Sequence, residues 1–402
     1  MNILNQETIL ELFRSYYPLF VIAVYLCAFG FTFYLIPKVL WVSKEKNLMA
    51  AVNDRSSHLV ATPSFGGVAF YITLILLLSI LQSLRLTYVG NHLIAGITIL
   101  FMVGLKDDLV ISTARVKFFG QITAVCFLIF SPELQLDNLQ GFWGIYEIPV
   151  ILGYLIKAVI AIALINAYNL IDGIDGLAAM IGIVIAGVYG YIFHLTGNSY
   201  FLLVCIGVIG ILSAFMRFNF SRGPRKIFMG DSGSLVIGLI LAFLTMKILT
   251  MAAVPQFMAE GHNPANRLLL IACILFIPAF DTLRVMIIRM INKRSPFSAD
   301  KNHAHHILLD LGFSHFRAGL SLAFLNLLVV GMYIVLSTEL TNLWLTFVVV
   351  LIYGSTFLLF SRLKIKSETE ATPTHAGPLS HGIKVNRQIE VTQPQLENAE
   401  VS

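Results

Sequence analysis

Apolar residues along this chain gather into runs separated by short polar stretches, and many of the runs approach the ~20 residues a helix needs to cross a ~30 Å hydrocarbon core. Eleven such windows can be read, near 19–41, 65–84, 91–106, 116–131, 148–168, 177–196, 199–218, 234–252, 268–289, 318–337 and 342–361. The third and fourth are short, so one of them is a candidate re-entrant segment. The first lacks a basic leader and a small-residue cleavage site, and Glu7 and Glu11 precede it, so it reads as a retained anchor. From Arg362 onward the chain turns polar, with five basic and five acidic residues and no apolar run, and reads as a disordered tail. The pattern predicts an all-α, polytopic integral membrane protein: an external segment 1–18, a transmembrane body 19–361 and a cytoplasmic tail 362–402.

Composition supports that class. Of 402 residues, 57% are hydrophobic and 12% are charged, about half the charge density of an ordinary soluble domain. A mean hydropathy of +0.82 agrees. Cys27, Cys126, Cys205 and Cys273 all sit in apolar runs without CxxC spacing, so no zinc or redox motif is indicated. The net charge of +5 lies wholly in the body and alternates between loops. One set of loops carries Lys44, Lys46, Arg55, Lys106, Arg115, Lys117, Arg217, Arg222, Arg225, Lys226, Arg289, Lys293, Arg294, Lys301 and Arg317; the opposite set carries only Arg14, Arg85 and Arg267. Lys and Arg accumulate on the cytoplasmic side, so the N-terminus is expected outside and the C-terminus inside, consistent with an odd number of spans.

That orientation places five polar clusters at the cytoplasmic face: Asn53-Asp54-Arg55 with His58, Asp107-Asp108, the run from Asn166 to Asp175, Gly230-Asp231-Ser232-Gly233-Ser234, and Asp300 to His306. Adjacent carboxylates at a membrane surface are costly without a compensating cation. A solvated helix end paired with Lys106 is the alternative reading of Asp107-Asp108, and the lesser one. Asn166, Asn169, Asp172 and Asp175 recur every three residues, so neighbours in the series stay close on a helix that Gly173 and Gly176 bring to an end. Oxygen-only donors suit a hard cation such as Mg²⁺, which takes one or two carboxylates plus substrate phosphate. Asp231 lies in a glycine-rich helix start, a favourable place for an anion. His303, His305 and His306 share a loop with basic residues and suit a diphosphate better than zinc. No dinucleotide or P-loop motif occurs, and no nucleic-acid partner is expected. Such a face suits transfer of a phosphoryl-linked group from a soluble nucleotide donor to a lipid acceptor in the bilayer, largely by positioning and charge neutralisation.

The motifs HLVATPSFGG (58–67), GLKDDL (104–109), NAYNLIDGIDGLA (166–178), FMGDSGSLVIG (228–238), IPAFDTLRV (277–285) and SPFSADKNHAHH (295–306) resemble those of the polyprenyl-phosphate N-acetylhexosamine-1-phosphate transferases, in that family's order. The resemblance implies transfer of an amino-sugar-1-phosphate, foremost GlcNAc-1-phosphate, from a UDP-amino sugar to undecaprenyl phosphate. UMP is released, and Mg²⁺, with Mn²⁺ as substitute, is the implied cofactor. It also implies a bacterial cytoplasmic membrane location with the site facing the cytoplasm, and it admits a homodimer. Carried over, Asp107, Asp108 and Asp231 are the catalytic acids, with Asp107 taking a proton from the lipid phosphate. Asp231, Asp108 and Asp172 are the expected metal ligands. Asn166, Asn169, Asp172, Asp175, His303, His305, His306, Arg55, His58 and Thr62 are expected to bind the nucleotide sugar and its diphosphate. Asp281 and Arg284, in the IPAFDTLRV motif, read by spacing alone as an i,i+3 pair inside a span.

Two departures bear on the branch. Val60 and Ser64 replace the basic residues many relatives carry after the histidine at 58. The histidine block reads DKNHAHH rather than an all-histidine run. The second feature, with the polar tail, favours amino-sugar transfer over phospho-MurNAc-pentapeptide transfer. A cation-coupled transporter is the alternative from another class, but transporter acids lie near the midplane, whereas these cluster in loops.

Overall fold

A computed structural model of the chain describes residues 15–48, 62–84, 86–110, 112–251, 263–296 and 302–371, together with Glu11 and Ser298. Arg55, His58, most of the segment 1–18 and the tail 372–402 lie outside the described residues. Every predicted apolar window meets a helix: α1 (Tyr17–Glu45), α2 (Gly66–Ser83), α3 (Val89–Leu109), α4 (Ala114–Ile129), α5 (Val150–Ile171), α6 (Leu177–Leu195), α7 (Ser199–Asn219), α8 (Gly230–Thr250), the pair α9 (Arg267–Ile274) and α10 (Phe276–Ile291), α12 (His315–Leu336) and α13 (Asn342–Ala371). A further short helix, α11 (Ala304–Asp310), carries His305 and His306 and follows directly on His303. Between α4 and α5 the chain forms an antiparallel hairpin, β1 (Asn138–Phe142) and β2 (Ile145–Glu147), where the sequence suggested only a loop.

Nine of the described helices are long and apolar enough to cross a membrane singly, or ten when the bent α9–α10 pair counts as one span. The protein is a multi-pass membrane protein. The remaining expected span is α4, with 16 residues. At 1.5 Å per residue it reaches ~24 Å, short of a ~30 Å core. The last helix continues past Arg362 to Ala371, so the expected start of the tail falls inside a helix.

α8 is the axis of the bundle. Its residues from Ser232 to Leu249 are nearly all buried, and it packs chiefly against α3 and α5, with α2 alongside. Contact at its first turn is unusually close: a Cβ on Gly104 of α3 would lie 2.5 Å from the Ser232 Cα. Only glycine lets the end of α3 reach the start of α8. The segment before α2 joins the same turn through backbone bonds from Phe228 N to Pro63 O (2.9 Å), Gly66 N to Phe228 O (3.0 Å) and Gly67 N to Met229 O (2.9 Å).

α9 and α10 meet at 70°, and the cause is local. Pro278 has no N–H to give the Ile274 carbonyl one turn back. Asn326 of α12, fully buried, supplies the missing donor from its amide nitrogen (3.0 Å) and accepts from the Ile277 N–H (3.0 Å). Replacing Asn326 with leucine is expected to orphan both backbone groups at roughly 1–3 kcal/mol each. The check is a melt in detergent: Asn326→Leu should unfold at a clearly lower temperature, and a wild-type melt would count against this origin of the bend.

Candidate active site

The site is built where the C-terminal ends of α3 and α5 meet the N-terminus of α8. Gly230 adopts φ +72°, and the first N–H groups of α8 point out of the turn without a cap from their own chain segment. Asp108 of α3 supplies the cap from outside. Its Oδ1 accepts from the Asp231 N–H (2.8 Å), and its Oδ2 accepts from the Ser232 N–H (3.0 Å) and hydroxyl (2.6 Å). A carboxylate at a helix N-terminus satisfies orphan donors and complements the dipole.

Asp107, next in the chain, is held differently. Its Oδ1 accepts from the Ser112 N–H (2.7 Å) and its Oδ2 pairs with the Lys117 ammonium (2.7 Å). Lys117 also pairs closely with Asp231 Oδ2. The ammonium thus occupies a point on which carboxylate oxygens from α3 and α8 converge. Asp231 Oδ1 accepts from the Asn169 amide (3.2 Å), which also donates to Ser234 Oγ (2.7 Å).

Asp172 follows the last residue of α5, half-buried. Its carboxyl is pushed up to about 7, first by desolvation and then by the carboxylates of Asp231, Asp108 and Asp175. The charges acting on it are all negative, which makes this corner of the site a place where a cation would be stabilised. Asp175 lies on the far side of the same turn and pairs with Lys226 (2.7 Å) and His315 Nδ1 (3.1 Å). Among the described residues no group of three acidic or histidine side chains forms a ready-made metal cage. The donor set fits Mg²⁺ in its usual role, held by one or two carboxylates with the rest of its shell from phosphate and water.

The structure sorts the predicted residues. Asp107, Asp108, Asp231, Asn169 and Asp172 come together. Asn166 does not join them: it forms a reciprocal amide pair with Gln121 of α4 (2.8 and 3.1 Å), a strut between α4 and α5. Thr62 is buried at the head of the strand-like stretch beside Phe228 and Met229. Histidine 305 packs so tightly on Gly173 that no Cβ would fit there, which sets the histidine block on the acidic turn. The His305 ring is buried, neither nitrogen has a hydrogen-bond partner among the described residues, and its pKa is pushed down to about 3, first by desolvation and further by His306, His303 and His315, against the opposing pull of the Asp281 carboxylate. Burial thus favours the neutral ring at His305, which leaves it a hydrogen-bonding role rather than a cationic one. The His306 ring lies beside it, tilted by 43°, with 4.4 Å between ring centroids. Asp281 and Arg284 are not partners of one another: Asp281 reaches His303 and Ala304, and Arg284 donates to the Asn302 carbonyl.

Sequence reasoning missed Lys117, Lys226 and His315 as site residues. Lys117 had a signal, a lone lysine ten positions after Asp107 at the start of an apolar helix. The other two had none, because their partners are distant in the chain.

The family described as glycosyl transferase family 4 matches residues 91–249, which include Asp107, Asp108, Asp172, Asp175 and Asp231. The chain is 33% identical over 300 residues to the decaprenyl-phosphate N-acetylglucosaminephosphotransferase of Mycolicibacterium smegmatis, covering 67% of this chain and 70% of the relative. It is 28% identical over 298 residues to the undecaprenyl-phosphate alpha-N-acetylglucosaminyl 1-phosphate transferase of Yersinia pestis, covering 73% and 78%. The protein of that name from Escherichia coli K12 is 27% identical over 280 residues, covering 69% and 73%.

Proposed function

The chain belongs to glycosyl transferase family 4, among the polyprenyl-phosphate N-acetylhexosamine-1-phosphate transferases, and from that premise we propose that it moves GlcNAc-1-phosphate from UDP-GlcNAc to undecaprenyl phosphate at the cytoplasmic face of a bacterial inner membrane. The relatives are named for the same amino sugar and for prenyl phosphates of two lengths. The observation that carries the reading to this site is the convergence of Asp107 and Asp231 on one cation position at the head of α8.

In the reaction a phosphate oxygen of the lipid attacks the sugar-linked phosphorus, the bond from that phosphorus to the bridging oxygen breaks, and UMP leaves with that oxygen. Asp231 and Asp107 would hold Mg²⁺, with Asp172 beside them, and the ion would supply charge neutralisation for the diphosphate. Lys117 sits at the same point and is placed to move its charge onto a phosphate oxygen when a divalent ion takes the carboxylates. Asn169 fixes the Asp231 side chain through the Oδ1 that Lys117 does not use. His305 offers one donor and one acceptor that no group among the described residues satisfies, suited to a substrate rather than to the fold. Asp108 works through α8, holding Asp231 by its backbone.

The test is UMP release by the detergent-solubilised protein from UDP-GlcNAc with undecaprenyl phosphate. We expect turnover with Mg²⁺, loss on chelation with EDTA, and recovery on adding Mg²⁺ or Mn²⁺. Turnover with UDP-MurNAc-pentapeptide but not UDP-GlcNAc would overturn the sugar assignment. Turnover undiminished in EDTA would overturn the metal.

A further inference from the structure

The histidine block is separated in sequence from the rest of the site, and what holds it in place is α10. Three side chains on that helix reach into the segment that follows it. Arg289 donates to the Pro296 carbonyl (2.6 Å), Arg284 to the Asn302 carbonyl, and Asp281 engages the next two residues. Asp281 is 2% exposed and His303 6%. Oδ2 lies 2.8 Å from His303 Nδ1, and Oδ1 accepts from the Ala304 N–H at 2.7 Å. Ala304 is the first residue of α11, so one buried carboxylate grips both the histidine ring and the start of the helix that carries His305 and His306.

This grip decides the chemistry of the ring. An ionised carboxylate only accepts hydrogen bonds, so the proton on His303 must be on Nδ1. The nitrogen left for any other partner is Nε2. The same logic orients histidines in metal sites and catalytic triads, where a buried acid selects the tautomer and the plane of the ring. His303 then stacks on His305 at 5.6 Å between centroids, and His305 lies on Gly173 in the acidic turn. The chain of contact runs from Asp281 through His303 and His305 to the residues between Asp172 and Asp175.

We propose that Asp281 is a positioning residue for the transfer reaction: it locks His303 as the Nδ1–H tautomer and thereby presents Nε2, an acceptor in that tautomer, to a hydroxyl or amide N–H of the nucleotide-sugar donor. The proposal rests on the reading above that this block meets the donor. It also gives the Pro278 bend a purpose, since the direction of α10 fixes where Asp281 and Arg284 hold residues 302–304.

Asp281→Asn separates positioning from mere scaffolding. Asparagine can still accept from the Ala304 N–H, so α11 keeps its anchor, but its NH₂ must donate to His303 Nδ1 and so drives the proton to Nε2. Nitrogen-15 spectra of histidine-labelled protein should show His303 protonated at Nδ1 in wild type and at Nε2 in Asp281→Asn. The variant should melt near wild type while KM for UDP-GlcNAc rises about tenfold, the scale of one hydrogen bond lost when Nε2 turns from acceptor to donor against a substrate O–H or N–H. His303→Gln should lose the same factor, and the double variant no more than either single one. Wild-type His303 protonated at Nε2, unchanged kinetics in Asp281→Asn, or additive losses in the double variant would each overturn the proposal. If Asp281→Asn fails to fold, the wild-type spectrum and His303→Gln kinetics still decide it. Absence of UMP release by wild type would instead refute the substrate, leaving the tautomer to the spectrum.

Discussion

Replacing Asp231 with asparagine is expected to lower turnover at least about a thousandfold, the scale of removing a principal electrostatic group from a transition state, while leaving the fold intact. The asparagine has the same shape and keeps both its backbone N–H bond to Asp108 and an oxygen for the Asn169 amide. What it removes is the charge that pairs with Lys117 and adds to the repulsion on Asp172. Losing one carboxylate from a site that holds Asp107, Asp108, Asp172 and Asp231 relieves like-charge repulsion, so the melting temperature should hold or rise. The decisive pair of measurements is UMP release and Mn²⁺ titration: both should collapse in Asp231→Asn. Turnover within tenfold of wild type would remove Asp231 from the reaction, and with it the convergence point on which the metal assignment stands.

The helices and the acids were legible in the sequence for a common reason. In a chain with so few charges, each polar cluster between apolar runs is conspicuous, and a bilayer leaves the backbone few alternatives to helix. Apolar run length is a weaker guide to geometry. It gave no sign that the window 268–289 breaks at 70°, because the break depends on Pro278 together with Asn326 from a helix distant in sequence.

The four-membered series at 166, 169, 172 and 175 shows where local periodicity runs out. Three residues turn a helix by about 300°, so each member steps back about 60° from the one before. Asn166 accordingly faces Gln121, Asn169 faces Asp231, and α5 ends before Asp172. Asp175, beyond the helix, turns to Lys226 and His315. Spacing showed that these residues were near one another; only the fold shows that they have different partners. The adjacent pair Asp107-Asp108 divides in the same way, one carboxylate toward the cation position and one onto the backbone of α8.

That division makes the second large expected effect a comparison between two variants of Asp108. The sequence placed Asp108 among the metal ligands, whereas its oxygens in the structure accept three hydrogen bonds from Asp231 and Ser232. Asp108→Ala leaves the first turn of α8 without its cap at a site too tight for rearrangement, since Gly104 already touches Ser232. A lost N-cap costs about 1–2 kcal/mol, and the displaced Asp231 carboxylate should reduce turnover roughly a hundredfold, as small misplacements of reacting groups do. Asparagine is as good a cap as aspartate, and in Asp108→Asn its oxygen can keep one of the two backbone bonds. The asparagine variant should therefore recover much of both the melting temperature and the turnover, and bind Mn²⁺ more tightly than Asp231→Asn does. If Asp108 were instead a metal ligand, alanine and asparagine would fail alike, Mn²⁺ affinity would fall in both, and the melt would not distinguish them. The ordering of the two variants, more than the size of either loss, decides whether the second acid of the pair binds the ion or builds the helix start that positions the residue which does.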